Sequence, residues 1–211
     1  MKRMFSLLIL VFLIVLVPNT LFAERPPMEI TPLVGYNIGG ATDFYQGRMD
    51  IKDSVTYGIM YSIILPPKGV SIDLSFTRAD SSLSFTADPT YSPLFSDANI
   101  KMASNYIMIG SNKDFLQDKV RLFIGGDIGA AWFDSKDSSV SDLWLFAVDL
   151  KGGMKIYLSD RIGIRLQGRF LMPMDLSNSG LFVGLGGAGV TFGGTVFVFQ
   201  GDFTAGLIIR L

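Results

Sequence analysis

The sequence predicts an all-β chain: an eight-stranded antiparallel up-and-down transmembrane β-barrel, with ten strands as the alternative count. Three observations carry this. From residue 28 onward, large apolar side chains recur at every second position, the period of a strand and not of a helix. The positions between them hold Gly, Ser, Thr and charges of both signs. The segments joining the alternating stretches are long and short in turn, as expected of a barrel with loops at one end and tight turns at the other.

The alternation is clear element by element. Strands are expected near 29–40, 55–65, 69–79, 99–111, 119–133, 143–158, 161–171 and 196–211. In the second, Val55, Tyr57, Ile59, Tyr61, Ile63 and Leu65 alternate with Thr56, Gly58, Met60, Ser62 and Ile64. In the third, Val70, Ile72, Leu74 and Phe76 alternate with Ser71, Asp73, Ser75 and Thr77. Val120, Leu122, Ile124 and Ile128 oppose Arg121, Phe123, Gly125, Asp127 and Gly129. The sixth sets Trp144, Phe146, Val148, Leu150, Met154 and Ile156 against Leu145, Ala147, Asp149, Lys151, Gly153 and Lys155. In the seventh, Ile162, Ile164, Leu166 and Phe170 face away from Arg165, Gln167 and Arg169. Long or polar gaps fall at 41–54, 80–98, 134–142 and 172–195, and short ones at 66–68, 112–118 and 159–160. The Gly-rich stretch 180–195 could add a hairpin, which is the source of the ten-strand count. Pro32 fits near the start of a first strand, where a missing backbone donor is tolerated.

Which face meets solvent separates two kinds of barrel. A soluble barrel turns its apolar face inward, whereas a membrane barrel presents it to lipid and keeps a small or polar interior. Here the second face is rich in Gly, and Asp127, Asp149, Lys151, Lys155, Arg165, Gln167 and Arg169 fall on it along neighbouring strands. Charges of both signs at compatible register suit a narrow lumen where they pair. They would either form a plug that closes the lumen or exchange partners to open a narrow gated, porin-like ion path, with the basic excess favouring anions. Tyr36, Tyr57, Phe76, Trp132, Trp144, Phe170 and Phe197 lie on the apolar face beside the long loops, the level of an interfacial aromatic girdle. A soluble barrel binding a small apolar ligand is the competing reading.

Composition removes most chemistry. The chain has 211 residues, no His, no Cys, and 18 Lys plus Arg against 19 Asp plus Glu. Without His there is no Ser-His or His-metal site, and without Cys no disulfide or zinc-thiolate site. A formal net charge of −1 provides no general attraction for nucleic acid. Neither a cofactor nor a metal is expected. Gly184, Gly186 and Gly189 fit a G-x-G-x-x-G string, but no helix pattern follows and the dinucleotide reading fails. The length fits one domain, at 24–211. Before it, Lys2 and Arg3, an apolar run from Phe5 to Val17 and Leu21-Phe22-Ala23 read as a secretory signal peptide, residues 1–23. The run is shorter than the roughly 20 residues of a membrane-spanning helix.

Met28-Glu-Ile-Thr-Pro-Leu-Val-Gly-Tyr-Asn-Ile-Gly-Gly40, Val120-Arg-Leu-Phe-Ile-Gly-Gly-Asp-Ile-Gly-Ala-Ala-Trp-Phe133 and Leu158-Ser-Asp-Arg-Ile-Gly-Ile-Arg-Leu-Gln-Gly-Arg169 resemble the small outer-membrane β-barrel proteins of Gram-negative bacteria, the OmpA/OmpX/OmpW-like group. The closing Thr204-Ala-Gly206-Leu-Ile-Ile209-Arg-Leu211 is similar to the C-terminal targeting signal of that class, although members most often end in Phe. The resemblance implies an outer-membrane location and a monomer. It also implies that Thr204, Gly206, Ile209 and Leu211 are read by the barrel assembly machinery. Catalytic barrels of this architecture use a His, so a non-enzymatic structural or surface-interaction role in the cell envelope is expected. Outer-membrane lipid and lipopolysaccharide are the expected surroundings. Loop aspartates, Asp80 and Asp134 among them, are candidates for contact with divalent cations bridging lipopolysaccharide or with an unidentified surface ligand.

Overall fold

Two-residue alternation becomes strand because each strand sends successive side chains to opposite faces. The computed structural model describes residues 26–44, 47–65, 69–87, 98–115, 119–136, 142–174, 182–183, 189–192 and 195–211. Eight long strands are present among them: β1 (Met28–Ile38), β2 (Ser54–Leu65), β3 (Val70–Ala87), β4 (Ala98–Phe115), β5 (Val120–Ser135), β6 (Leu143–Tyr157), β7 (Ile162–Met174) and β8 (Gln200–Arg210). Each pairs antiparallel with its sequence neighbours, and β8 pairs with β1, so the sheet closes on itself. Both termini of the closed sheet lie at the end of the short connections, with Glu29 opposite Arg210. The expected signal segment 1–23 lies outside the described residues.

The chain departs from the sequence reading at the strand ends, each time for a physical reason. Much of the expected loop 80–98 is strand: β3 reaches Ala87, pairing with β4 on one edge and with residues 47–51 on the other. The hairpin 41–44 and 47–51, expected as loop, rides on this extension. The expected turn 112–118 is likewise strand as far as Phe115, because Asn112 and Asp114 point inward to lumen partners. Strand β7 runs to Met174. At the last strand, 196–198 do not join the barrel. Residues 195–198 pair with 189–192, and these with 182–183, in a separate three-stranded sheet. The Gly-rich stretch therefore adds no barrel strand, and the closed circuit contains eight. Of the G-x-G-x-x-G string, Gly184 and Gly186 lie outside the described residues.

The faces sort as the alternation implies. Outward side chains are large and apolar, with Val34, Ile124, Leu150 and Phe203 each more than half exposed. Tyr36, Tyr57, Phe76, Trp144 and Phe170 also face outward, and Trp132 stacks on Trp144 with ring centroids 5.2 Å apart. The side chain of Phe197 lies outside the described residues. Inward positions divide into two zones. Toward the short-turn end many are charged, with Met60, Phe123 and Ile208 packed among them. Toward the long-loop end Met102, Tyr106, Met108, Ala131, Phe133, Leu145, Ala147 and Leu171 form an apolar cluster, which the sequence reading of a wholly small or polar interior did not contain.

Gly206 and Gly69 are two of the positions at which the backbone requires glycine. At the closing seam a Cβ on Gly206 would lie 2.6 Å from the Pro32 carbonyl oxygen and 2.6 Å from Thr31 Cγ2, so β1 and β8 meet this closely because residue 206 has no side chain. Pro32 directs that carbonyl, and with it its donorless nitrogen, to this seam, where the paired register lapses between Ile30 and Leu33. Gly69, in the turn joining β2 to β3, has φ of 102°, a region that L side chains rarely adopt. Gly69→Ala is expected to lower stability by about 1–2 kcal/mol, and Gly69→Asn by less, in urea unfolding of refolded protein in liposomes.

Candidate lumen site

An eight-stranded barrel encloses a space that side chains can fill. All seven lumen residues expected from sequence, Asp127, Asp149, Lys151, Lys155, Arg165, Gln167 and Arg169, point into it, each at least 96% buried. They are positioned by register. Asp127 on β5 stands opposite Asp149 on β6, Lys151 on β6 opposite Arg169 on β7, and Lys155 opposite Arg165. Like charges thus stand side by side between β5 and β6 and between β6 and β7, while attractive partners come both from adjacent strands, as Asp127 for Lys151 and Asp202 for Arg169, and from across the lumen.

Asp73 on β3 is the centre of the arrangement. Lys151 Nζ donates to Asp73 Oδ2 at 3.0 Å and to Asp127 Oδ1 and Oδ2 at 2.6 and 2.8 Å. Arg165 Nη2 reaches the same Asp73 oxygen at 3.5 Å, Ser71 Oγ donates to Oδ1 at 3.2 Å, and Asn112 donates from β4. Arg165 Nε also donates to Gln167 Oε1 at 2.7 Å, and its guanidinium lies 4.2 Å from the centroid of Phe123, an arrangement that retains attraction after desolvation. One layer away, Arg169 Nε donates to Asp202 Oδ1 on β8 at 2.9 Å, while its Nη2 reaches Thr77 Oγ1 on β3 at 3.0 Å. Nearer the short turns, Lys155 donates to Asp114 at 3.1 Å, and Arg121 approaches Asp114 at 3.9 Å. Glu29 there accepts from Tyr157 at 2.9 Å and from Arg210 at 3.0 Å.

Strands β3 and β7 are four apart in a ring of eight, hence on opposite walls. Asp73 to Arg165 and Thr77 to Arg169 therefore span the lumen, and Lys151 to Asp73 joins walls three strands apart. A buried ion pair is strong evidence of geometry and weak evidence of net stability, because desolvation consumes much of the attraction. What the ties establish is that charged side chains from opposite walls meet in the middle.

The sequence reading found the basic half of this network and missed much of the acidic half. Glu29, Asp73, Asp114 and Asp202 are buried in the lumen beside Asp127 and Asp149, six carboxylates against the four buried cations Lys151, Lys155, Arg165 and Arg169. The expected basic excess is thus corrected to an acidic one, which Arg121 and Arg210 offset at the short-turn end. The parity that selected Asp127 also puts Asp73 on the inner face, so that signal was present. Asp114 was hidden in what resembled a turn.

Asp149 is the exception within the set. Neither of its oxygens receives a hydrogen bond among the described residues, and its nearest strand neighbour is a second carboxylate. Asp149→Asn leaves a single carboxyl group where two face each other and offers Asp127 a donor, so stability is expected to rise by about 1 kcal/mol. Asp127→Asn takes a carboxylate from Lys151 and is expected to cost about 2 kcal/mol. Urea midpoints of the two refolded variants against wild type check this opposition of sign.

Thr204 of the proposed assembly signal is buried and inward-facing on β8, whereas Ile209 and Leu211 are exposed on the outer face. Thr204, Gly206 and Ile209 lie on β8 and Leu211 directly follows it, and the four do not share a face.

No family model matches the sequence, and no curated protein does either. Solved structures match by shape. The chain is similar to Neisserial surface protein A, at 12% identity and a TM-score of 0.56, over 88% of this chain and 97% of that one. It is similar to the outer membrane protein OprG from Pseudomonas aeruginosa, at 8% identity and a TM-score of 0.55, over 89% and 97%. Identities this low speak for the fold alone: the chain is a closed eight-stranded antiparallel β-barrel of the kind seen in small outer-membrane proteins.

Proposed function

We propose that the protein is a non-enzymatic barrel of the bacterial outer membrane with a structural or surface-interaction role, its lumen closed by an ion-paired plug. The observation that carries the plug is the set of ties between β3 and β7, from Asp73 to Arg165 and from Thr77 to Arg169, with Lys151 held between Asp73 and Asp127. Above them the apolar cluster around Tyr106 and Phe133 lines the lumen with side chains that disfavour a hydrated ion. The outer face supports the membrane location, since exposed Val, Ile, Leu and Phe on every side would associate in water. The same distribution, with charge inside, weighs against a soluble barrel holding an apolar ligand. Export through a cleaved signal, and recognition of Thr204, Gly206, Ile209 and Leu211 by the assembly machinery, belong to the same proposal.

The second reading is a narrow gated channel. Asp149, without a donor of its own and opposite Asp127, is an alternative acceptor for Lys151, and such an exchange would loosen the ties to Asp73. With carboxylates in excess among the buried groups, that path would favour cations. Planar-bilayer recording of refolded protein separates the readings. Wild type is expected to be silent, and Lys151→Ala combined with Arg165→Ala to show discrete steps. Regular conductance steps in wild type, altered by either single substitution, would establish the channel and end the plug reading.

A further inference from the structure

Beyond the lumen, the outer face carries a charged collar immediately above the aromatic girdle. It is built on three adjacent strands whose register places its members in rows. Arg78 on β3, Asn105 on β4 and Trp132 on β5 stand in one row, and Asp80, Ala103 and Asp134 in the next. Lys101 follows on β4, its carbonyl accepting from the Lys136 backbone N–H at 2.9 Å. All of these charged side chains lie on the face that Trp132 and Phe76 share, not on the lumen face.

The collar is held in place by its own contacts. Arg78 Nη1 donates to Asn105 Oδ1 at 3.1 Å, and Asn105 is itself buried and donates to the Trp132 carbonyl at 3.0 Å. Arg78 Nη2 meets Asp80 at 3.0 Å and Asp134 at 3.7 Å, and Lys136 meets Asp80 at 3.3 Å. Tyr57 OH on β2 also donates to Asp80, at 3.2 Å. Lys101 is exposed and has no ion-pair partner among the described residues, and Lys136 is half exposed.

Lys136 lies four positions beyond Trp132. At about 3.4 Å per residue and the usual barrel tilt of roughly 40°, that is a rise of about 10 Å. A girdle Trp sits at the edge of the hydrocarbon, and the headgroup layer above it is about 5–8 Å deep. The collar therefore spans that layer, with Arg78 at its base and two lysines at its top. Fixed cations at headgroup depth, facing lipid, are complementary to phosphate.

We propose that Arg78, Lys101 and Lys136 form a binding site for the phosphate groups of a phosphorylated glycolipid in the outer leaflet, with Asp80 and Asp134 orienting Arg78 and Lys136. The site rests on the outer-membrane reading above and is independent of whether the lumen conducts. Refolded full-length protein in neutral micelles, titrated with bisphosphorylated lipid A and followed by native mass spectrometry, tests it. Wild type is expected to bind lipid A at least tenfold more tightly than dephosphorylated lipid A, and Lys101→Gln/Lys136→Gln to lose that preference. Lys113→Gln, on the outer face of the same β4 at its other end, is expected to bind like wild type. Millimolar inorganic phosphate is expected not to displace the lipid. Equal binding of both lipids by wild type, equal loss in Lys113→Gln, or displacement by free phosphate would overturn the proposal. A heat-dependent gel shift run on each sample reports the folded membrane barrel separately, so failure of the membrane reading is distinguishable from failure of the site.

Discussion

The constraint on which the rest depends is closure at eight strands. A ring this small leaves an interior that side chains alone can fill, and no room for a water column wide enough to solvate ten buried charges separately. Each inward charge must find a partner within reach or bear the cost of desolvation. Register decides which partners are available. Because β6 and β7 bring Lys151 opposite Arg169 and Lys155 opposite Arg165, neighbouring strands supply repulsion. Attraction comes from the far wall, at Asp73 and Thr77, from the strands flanking the pair, at Asp127 and Asp202, and from β4, at Asp114. Part of the network is transverse for that reason, with Asp73 and Thr77 reaching Arg165 and Arg169 on the opposite wall.

The outer surface answers a different constraint. Its apolar band ends at Tyr57, Trp132 and Trp144, and directly above it the polar side chains change from solvation to mutual fixation around Arg78. The same strands then continue past the ring: β3 and β4 run 18 residues each, longer than the other barrel strands, and carry the 41–51 hairpin on the edge of β3. The barrel thus has a raised blade on one side, with the collar at its foot. Sheet pairing keeps the collar strands rigid at a height where an isolated hairpin would be marginal.

Strict alternation made the barrel, its strand order and the direction of each lumen side chain readable in the sequence, since a period of two leaves little freedom in which face a residue occupies. Strand ends were not readable. Asp80 to Ala87 has the Ser, Asp and Thr content of a loop, and only pairing on both edges makes it strand. Asn112 and Asp114 resembled turn residues because polarity marks both turns and lumens, and only the three-dimensional position of Lys155 and Asp73 tells them apart. Partner choice was equally hidden. Periodicity places Asp73 inward but cannot say that it meets a lysine three strands away.

Charges from separate walls hold one another across the lumen. A double-mutant cycle between Asp73 and Lys151, using Asp73→Asn and Lys151→Met with urea unfolding in liposomes, measures that tie most directly. A coupling energy of about 2 kcal/mol or more is the predicted result, in the range found for close buried charge pairs. A coupling below about 0.5 kcal/mol, the level of independent sites, would contradict it.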